Sequence, residues 1–235
     1  MGRWLALCWG FLPVWVPDPL SDDPPKPGKP EKVILFQGKD LDAWDGLKDK
    51  YWSIRDGTIV GQSEEEFTTS TYLVTRQRFR DFHLSLSVRV SGTATRTGVA
   101  FWGEVVANRD DPFAYKGYLV VFPKPWGLYE TFGRGNLAVD PRPAMQATRP
   151  QDWNDMEIFA QGNRVRVVLN GVLILDWSDP EPDRIKAGPI ALQLRASELP
   201  QQVSFKNIRV TTPPDDSRLQ DKKVGDRIPP SEPAD

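Results

Sequence analysis

Residues 82–90, FHLSLSVRV, alternate apolar and polar side chains from Phe82 to Val90. Successive side chains of an extended strand point to opposite faces, so this period of two predicts a half-buried β-strand. His83, the only histidine of the chain, lies on the polar face beside serines. We therefore expect it to be solvated or hydrogen-bonded and to have a structural or neutral role.

Similar runs follow toward the C-terminus, with turn residues between them. They cover residues 97–106, 117–122, 127–132, 156–160, 164–169, 172–177, 189–195 and 203–210. No run has a helical period long enough to compete with the strand interpretation. Many short strands without intervening helices predict an all-β sandwich or barrel, and the concave face of such a sheet commonly holds an extended ligand.

Two local features refine this prediction. Asn170-Gly171 separates two of the runs, and this pair tolerates the positive φ angles of a type I′ hairpin turn. In the last run the apolar residues lie on odd positions up to Phe205 and on even positions after it. One extra residue near Lys206-Asn207 must therefore return the apolar side chains to the buried face. We expect a β-bulge there.

The composition excludes several classes of protein. Lys and Arg number 30 and Asp and Glu number 32, so the chain lacks the strong positive field that attracts nucleic acid. Cys8 is the only cysteine, so the domain can form no internal disulfide and offers no thiol nucleophile. A single histidine also excludes a His-rich zinc site.

The two ends of the chain differ from its middle. Residues 1–16 contain Arg3 and then an apolar stretch that suits a signal peptide, and an apolar anchor is the alternative because Pro13 interrupts the stretch and no A-x-A site follows. Residues 17–30 form a Pro-rich linker, and residues 213–235 form a polar tail that we expect to be disordered. We expect one domain at 31–212 and a secreted, periplasmic or cell-envelope location, with membrane contact only through a retained leader.

The domain contains several short motifs, each at one position in the sequence. They are F-x-G-K-D-L-x-x-W at 36–44, W-x-x-x-D-G-x-I at 52–59, G-x-I-x-L-Q at 188–193 and VSFKNIRV at 203–210. Their order and spacing resemble the 3-keto-disaccharide hydrolase domain family over residues 33–210. The resemblance implies a two-sheet jelly-roll sandwich of the concanavalin A-like lectin and glucanase type. It also implies cleavage of glycosides whose sugar carries a ketone at carbon 3.

Cleavage of this kind needs a base, an enolate stabiliser and an acid, because the ketone acidifies the hydrogen at C2. Alternation predicts one face for Gly98, Ala100, Trp102 and Glu104, with room for a sugar and a stacking surface on Trp102. We therefore expect a carbohydrate ligand across this face. The candidates are Glu104, Glu130 and Arg195 for catalysis and Trp102, Tyr118, Tyr129 and Gln193 for substrate binding. No cofactor is required, and a divalent cation such as Ca²⁺ on oxygen ligands is left open.

The chain also departs from the family at positions expected to carry the site. Trp102 stands where an arginine is common, Leu119 and Val121 replace a carboxylate and an amide, and Arg195 replaces a histidine. Two functions therefore stay open. One is a hydrolase or lyase with Glu104 or Glu130 as base and Arg195 or Tyr129 stabilising the oxyanion. The other is a non-catalytic sugar-binding or adhesion module, and a structural envelope protein is a third alternative.

Overall fold

The computed structural model describes residues 30–66, 68–92, 96–124, 126–138 and 140–230. The predicted leader, Cys8 and nearly all of the Pro-rich linker lie outside these residues. In the described part of the chain, the strands form two antiparallel sheets that pack face to face. The prediction of an all-β sandwich is confirmed.

Sheet A has eight strands in the order β13-β12-β11-β6-β15-β4-β3, and β1 also pairs with β15. Sheet B has seven strands in the order β10-β9-β8-β7-β14-β5-β2. The strands of sheet A are β1 (Glu31–Phe36), β3 (Trp52–Arg55), β4 (Thr58–Ser63), β6 (Phe82–Ser91), β11 (Asn154–Gln161), β12 (Arg164–Leu169), β13 (Val172–Ser178) and β15 (Gln201–Thr212). Those of sheet B are β2 (Trp44–Asp45), β5 (Thr71–Phe79), β7 (Thr97–Val105), β8 (Tyr115–Phe122), β9 (Gly127–Glu130), β10 (Gly135–Ala138) and β14 (Gly188–Leu194).

The core lies between the two sheets. The apolar side chains of β6 are buried there, as the period of two predicts, and His83 on the opposite face hydrogen-bonds Glu157 at 2.8 Å. Trp44 and Trp52 are buried core residues, and the Trp44 indole donates to the Leu35 carbonyl at 2.8 Å. Burial of large aromatic side chains is a main source of sandwich stability.

The predicted hairpin and bulge are both confirmed. Asn170 and Gly171 have φ angles of 48° and 76° and connect β12 to β13. The pairing of β15 with β6 shifts register between Lys206 and Arg209, and Asn207 within this bulge has a φ of 55°.

Short helices are the first difference from the sequence prediction. They are α1 (Lys48–Tyr51), α2 (Pro141–Ala147) and the 3₁₀ turns Pro182–Arg184 and Ser217–Leu219. Asp140 caps the N-terminus of α2, and its carboxylate accepts from the Arg142 backbone N–H. Such a helix is too short to produce a detectable helical period. Within the described residues, no helix is long and apolar enough to span a membrane.

The tail is the second difference. Residues 213–230 are ordered against sheet A, so the prediction of disorder is wrong for this segment. Leu219 and Ile228 are buried against Phe159 and Leu173, and the Ile228 N–H donates to the Gly171 carbonyl at 2.8 Å. Two well-spaced apolar side chains and a set of backbone hydrogen bonds offset the ordering entropy that we expected to dominate.

We predict that Gly171→Ala lowers the free energy of unfolding by about 1 kcal/mol, because an L side chain is strained at this positive φ. Chemical denaturation followed by tryptophan fluorescence measures this loss. Gly171→Asn is the control, since asparagine tolerates this region better and should lose less. Equal stability of Gly171→Ala and the wild type would contradict the prediction.

Candidate functional site

A β-bulge in β7 determines where the predicted site residues lie. Phe101 pairs with Tyr118 and Glu104 with Lys116, so Trp102 and Gly103 together oppose the single residue Gly117. Trp102 has a φ of 49°. A Cβ atom at position 103 would lie 2.1 Å from the Lys116 carbonyl oxygen, so the bulge requires glycine.

The bulge overturns the predicted position of Trp102. Ala100 packs with Leu119 and Ala191 on the outer face of sheet B, whereas Trp102 is 1% exposed within the core. Its indole donates to the Arg80 carbonyl at 2.6 Å, and its ring packs edge-on against Tyr118. The prediction that Trp102 offers a stacking surface beside Ala100 is therefore wrong, because the extra residue reverses the alternation.

Four of the predicted residues nevertheless line one cavity, which we call the end chamber. It has a volume of about 320 Å³ and lies where β5, β7 and β9 end. Its lining includes Trp102, Glu104, Tyr118 and Glu130. The rest of the lining is formed by Arg78, Gly103, Phe132, Asp183, Arg184, Lys186 and Ala187.

The two glutamates of the chamber differ in their surroundings. Glu130 is 1% exposed and accepts from the Arg134 backbone N–H at 2.9 Å and from the Arg184 guanidinium at 3.4 Å. Glu104 is exposed, and its side chain has no hydrogen bond or ion pair with any described residue. Glu130 is thus committed to holding two arginines, whereas Glu104 is available to a ligand.

The other lining residues add positive charge and an apolar surface. Arg78 donates to the Ala187 carbonyl at 2.7 Å, and Lys186 extends from the same loop. Phe132, in the turn after β9, is 45% exposed. None of these residues was among the sequence candidates, because they come from a loop, a turn and a strand end without a periodic pattern.

A buried ion cluster forms the wall behind Tyr118. Arg134 donates to both oxygens of Asp179, at 2.9 and 2.7 Å, and to the Tyr118 hydroxyl at 2.7 Å. Burial, reinforced by the hydrogen bond to Asp179, raises the pKa of Tyr118 above its usual value. Burial opposes the ionisation of Asp179, but Arg134 and Tyr118 outweigh it and lower that pKa to about 2. Tyr118 therefore stays protonated and acts as a hydrogen-bond donor rather than a base.

The remaining candidates lie on the outer face of sheet B. The Gln193 amide donates to the Tyr72 hydroxyl at 2.8 Å, and Tyr129 is half-buried opposite Leu119. Arg195 is exposed directly after β14. Leu119 and Val121, which replace the carboxylate and the amide expected from the family, contribute apolar side chains to this face. The outer face of sheet B is therefore more apolar than the resemblance implies.

The predicted single face is therefore divided in two. Ala191 pairs with Ala100, which sets Arg195 beside the start of β7 while Glu104 lies near its end. Roughly eight residue steps along a strand correspond to about 26 Å. Arg195 and Glu104 cannot contact the same reacting atom.

Tyr115 connects the two regions. Its ring lies 5.7 Å from that of Tyr72 on the outer face, and its hydroxyl donates to the Pro189 carbonyl at 2.7 Å. Burial raises the pKa of Tyr115, and the charges of Arg78 and Glu104 also act on this group. A ligand in the end chamber could thus extend past Tyr115 onto the outer face. Among the described residues, no group of three or more His, Cys, Asp or Glu side chains is arranged to hold a metal ion.

Comparisons with known proteins identify the family of the chain and its fold. The family model of the 3-keto-alpha-glucoside-1,2-lyase-like domain matches residues 31–211. No curated protein matches the chain by sequence. The fold is similar to a candidate glycosyl hydrolase from Parabacteroides distasonis, with 19% identity, a TM-score of 0.55, and coverage of 77% of this chain and 98% of that one.

Two Bacillus subtilis structures also share the fold. The carbohydrate binding module CBM66 has 14% identity and a TM-score of 0.52 over 71% of this chain and 94% of that one. A protein with a galectin-like fold has 12% identity and a TM-score of 0.54 over 77% and 94%. The described domain is a two-sheet jelly-roll sandwich.

We predict that Asp179→Asn destabilises the protein by about 3 kcal/mol at pH 7, because it leaves Arg134 without its buried partner. The ionised Asp179 stabilises the fold fully above its ordinary pKa of 3.8, and this stability is lost as the pH falls through about 2. The difference in stability between the variant and the wild type should therefore become smaller as the pH is lowered from 5 to 2, and thermal unfolding measures it.

The matched control is Glu181→Gln, which removes an exposed carboxylate from the same arginine. Exposed ion pairs contribute at most about 1 kcal/mol, so its effect should be small at every pH. A difference for Asp179→Asn that does not change with pH would contradict the assigned role of Asp179.

Proposed function

This chain belongs to the 3-keto-alpha-glucoside-1,2-lyase-like domain family, and we propose that it cleaves 3-keto-glycosides in the end chamber with Glu104 as the base. The observation that carries the proposal is the charge arrangement of this cavity. An exposed carboxylate without a partner among the described residues lines the same space as Arg78, Arg184 and Lys186. No cofactor takes part in the proposed reaction.

The reaction is an elimination followed by addition of water. Glu104 takes the proton from C2, and the electrons of that C–H bond form an enolate with the C3 oxygen. Collapse of the enolate expels the C1 oxygen and forms a C1–C2 double bond, and water then adds across it. Protonated Glu104 can return its proton to the leaving oxygen, so one carboxylate serves first as base and then as acid.

The cations of the chamber are suited to the enolate. Negative charge develops on the C3 oxygen in the transition state, and fixed positive groups nearby stabilise it without reorganisation. Arg78 is oriented by the Ala187 carbonyl and Arg184 by Glu130 and Glu181, so both are held in place before a ligand binds. Lys186 adds a third positive charge to the lining.

The other predicted residues take different roles in this proposal. Glu130 orients Arg184 and is not the base. Phe132 replaces Trp102 as the ring that contacts the sugar, because it is exposed at the chamber. Tyr129, Gln193 and Arg195 contact only a glycoside long enough to extend over the outer face of sheet B, because Arg195 lies about 26 Å from Glu104. Export through the leader, to the exterior, periplasm or cell envelope, is also part of the proposal.

A non-catalytic carbohydrate-binding module is the second candidate function. Leu119 and Val121 leave the outer face of sheet B without the carboxylate and amide expected of the family, while Tyr72 and Gln193 still offer polar groups and Tyr129 an aromatic ring. Such a surface can bind a sugar without an acid or a base.

We predict that Glu104→Gln reduces turnover of a 3-keto-glycoside at least about 100-fold while its binding stays within about twofold of the wild type. Turnover is measured by leaving-group release and binding by calorimetry. The control is Glu198→Gln, which removes an exposed carboxylate beyond β14 and should leave both unchanged. Retained turnover in Glu104→Gln would place the base elsewhere, and glycoside binding without any wild-type turnover would favour the binding module.

A further inference from the structure

A second cavity lies on the outer face of sheet A, away from the end chamber on sheet B. It has a volume of about 560 Å³ and three basic residues in its lining, Arg89, Lys206 and Arg209. Trp153 and Asn207 lie beside them, and β1 and the β3–β4 turn contribute the other wall. We call this cavity the basic groove.

The bulge in β15 brings the three cations to one face. Arg89 pairs with Ser204, Lys206 with Ser87 and Arg209 with Ser85. Lys206 and Arg209 are three positions apart, so in a regular strand they would point to opposite faces. The extra residue at Asn207 returns Arg209 to the face of Lys206, and the result is a cluster of like charges that ordinary alternation would separate.

Trp153 holds two of these cations in place. Its ring centroid is 4.8 Å from the Arg89 guanidinium carbon and 4.2 Å from the Lys206 ammonium. Trp153 is half-buried at the groove and does not belong to the core. Cation–π contacts orient the two side chains, but the ring carries no net charge to neutralise them.

The charge of the groove is not balanced by the protein. In the described part of the chain, Arg89, Lys206 and Arg209 make no ion pair, whereas Arg164 and Arg166 on the same sheet and Arg218 in the docked tail each pair with a carboxylate. Asp56 is the one carboxylate in the lining of the groove. The Nε atom of Arg89 is buried without a hydrogen-bond partner, which is uncommon for a buried donor.

We propose that the basic groove is a second ligand site and that it binds acidic sugars, with a uronate carboxylate on Arg89, Lys206 and Arg209. The amides of Gln37 and Asn207 line the same cavity and can bind sugar hydroxyls. A volume of this size accommodates one or two sugar rings. The site would anchor the protein on a uronate-containing polysaccharide, and it is independent of the reaction in the end chamber.

Calorimetric titration with an oligogalacturonide tests this proposal, with a neutral cello-oligosaccharide of equal length as the comparison. We expect the oligogalacturonide to bind at least tenfold more tightly than the neutral oligosaccharide. Its binding should become weaker as the salt concentration is raised, because salt screens the charges. Arg89→Gln and the more exposed Arg209→Gln should each weaken it at least fivefold. Arg142→Gln removes an exposed arginine outside the groove and should change nothing.

Three outcomes would overturn the proposal. They are equal binding of the neutral oligosaccharide, unchanged binding in both groove variants that melt at the wild-type temperature, and binding of inorganic sulfate or an oligonucleotide as tight as that of the oligogalacturonide. Turnover of a 3-keto-glycoside by Arg89→Gln reports on the end chamber separately. The test of the basic groove therefore does not depend on whether the proposed reaction occurs in the end chamber.

Discussion

The position of the proposed base depends on a close approach of three neighbouring strands that leaves no room for side chains at three positions. A Cβ atom on Gly188 would lie 2.2 Å from the Gly103 carbonyl oxygen, and one on Gly117 would lie 2.8 Å from the Phe101 carbonyl oxygen. Glycine at positions 103, 117 and 188 lets the backbones of β7, β8 and β14 approach this closely around the bulge of β7. The bulge buries Trp102 and turns Glu104 into the end chamber. A local packing constraint thereby determines which face of the sheet can carry chemistry.

The charged groups around the chamber divide into structural and available ones. Arg134, Asp179 and Tyr118 hydrogen-bond one another inside the wall, and the two carboxylate oxygens of Glu130 accept from the arginines beside it. Such a network of hydrogen bonds and ion pairs fixes the shape of a site. Glu104, Asp183 and Lys186 remain open to a ligand. The contrast with the outer face of sheet B, whose floor is largely apolar, is the reason for placing the reaction at the end of the sandwich.

The alternation in residues 82–90 and the similar runs that follow it are sufficient to predict an all-β fold, and the parity change after Phe205 is sufficient to predict the bulge in β15. The same reasoning did not predict the bulge in β7. Ala100, Trp102 and Glu104 occupy every second position of the sequence, so the alternation alone assigns them to one face. Gly103 inside a strand was the available signal, but its meaning depends on Lys116 and Gly117 in the partner strand. The sequence pattern did not predict the docked tail, because Leu219 and Ile228 are too far apart to form a periodic pattern. Arg78 and Lys186 could be assigned to the chamber only once the end of β5 and the 182–187 loop were placed.

A structure of the Glu104→Gln variant with a bound 3-keto-glycoside tests the central claim most directly. The account predicts that the sugar occupies the end chamber, with C2 facing residue 104 and the C3 oxygen within hydrogen-bond distance of Arg78, Arg184 or Lys186. Phe132 should contact the ring. A sugar bound over Tyr72, Tyr129 and Gln193, with its C2 far from residue 104, would contradict the account and move the site to the outer face of sheet B.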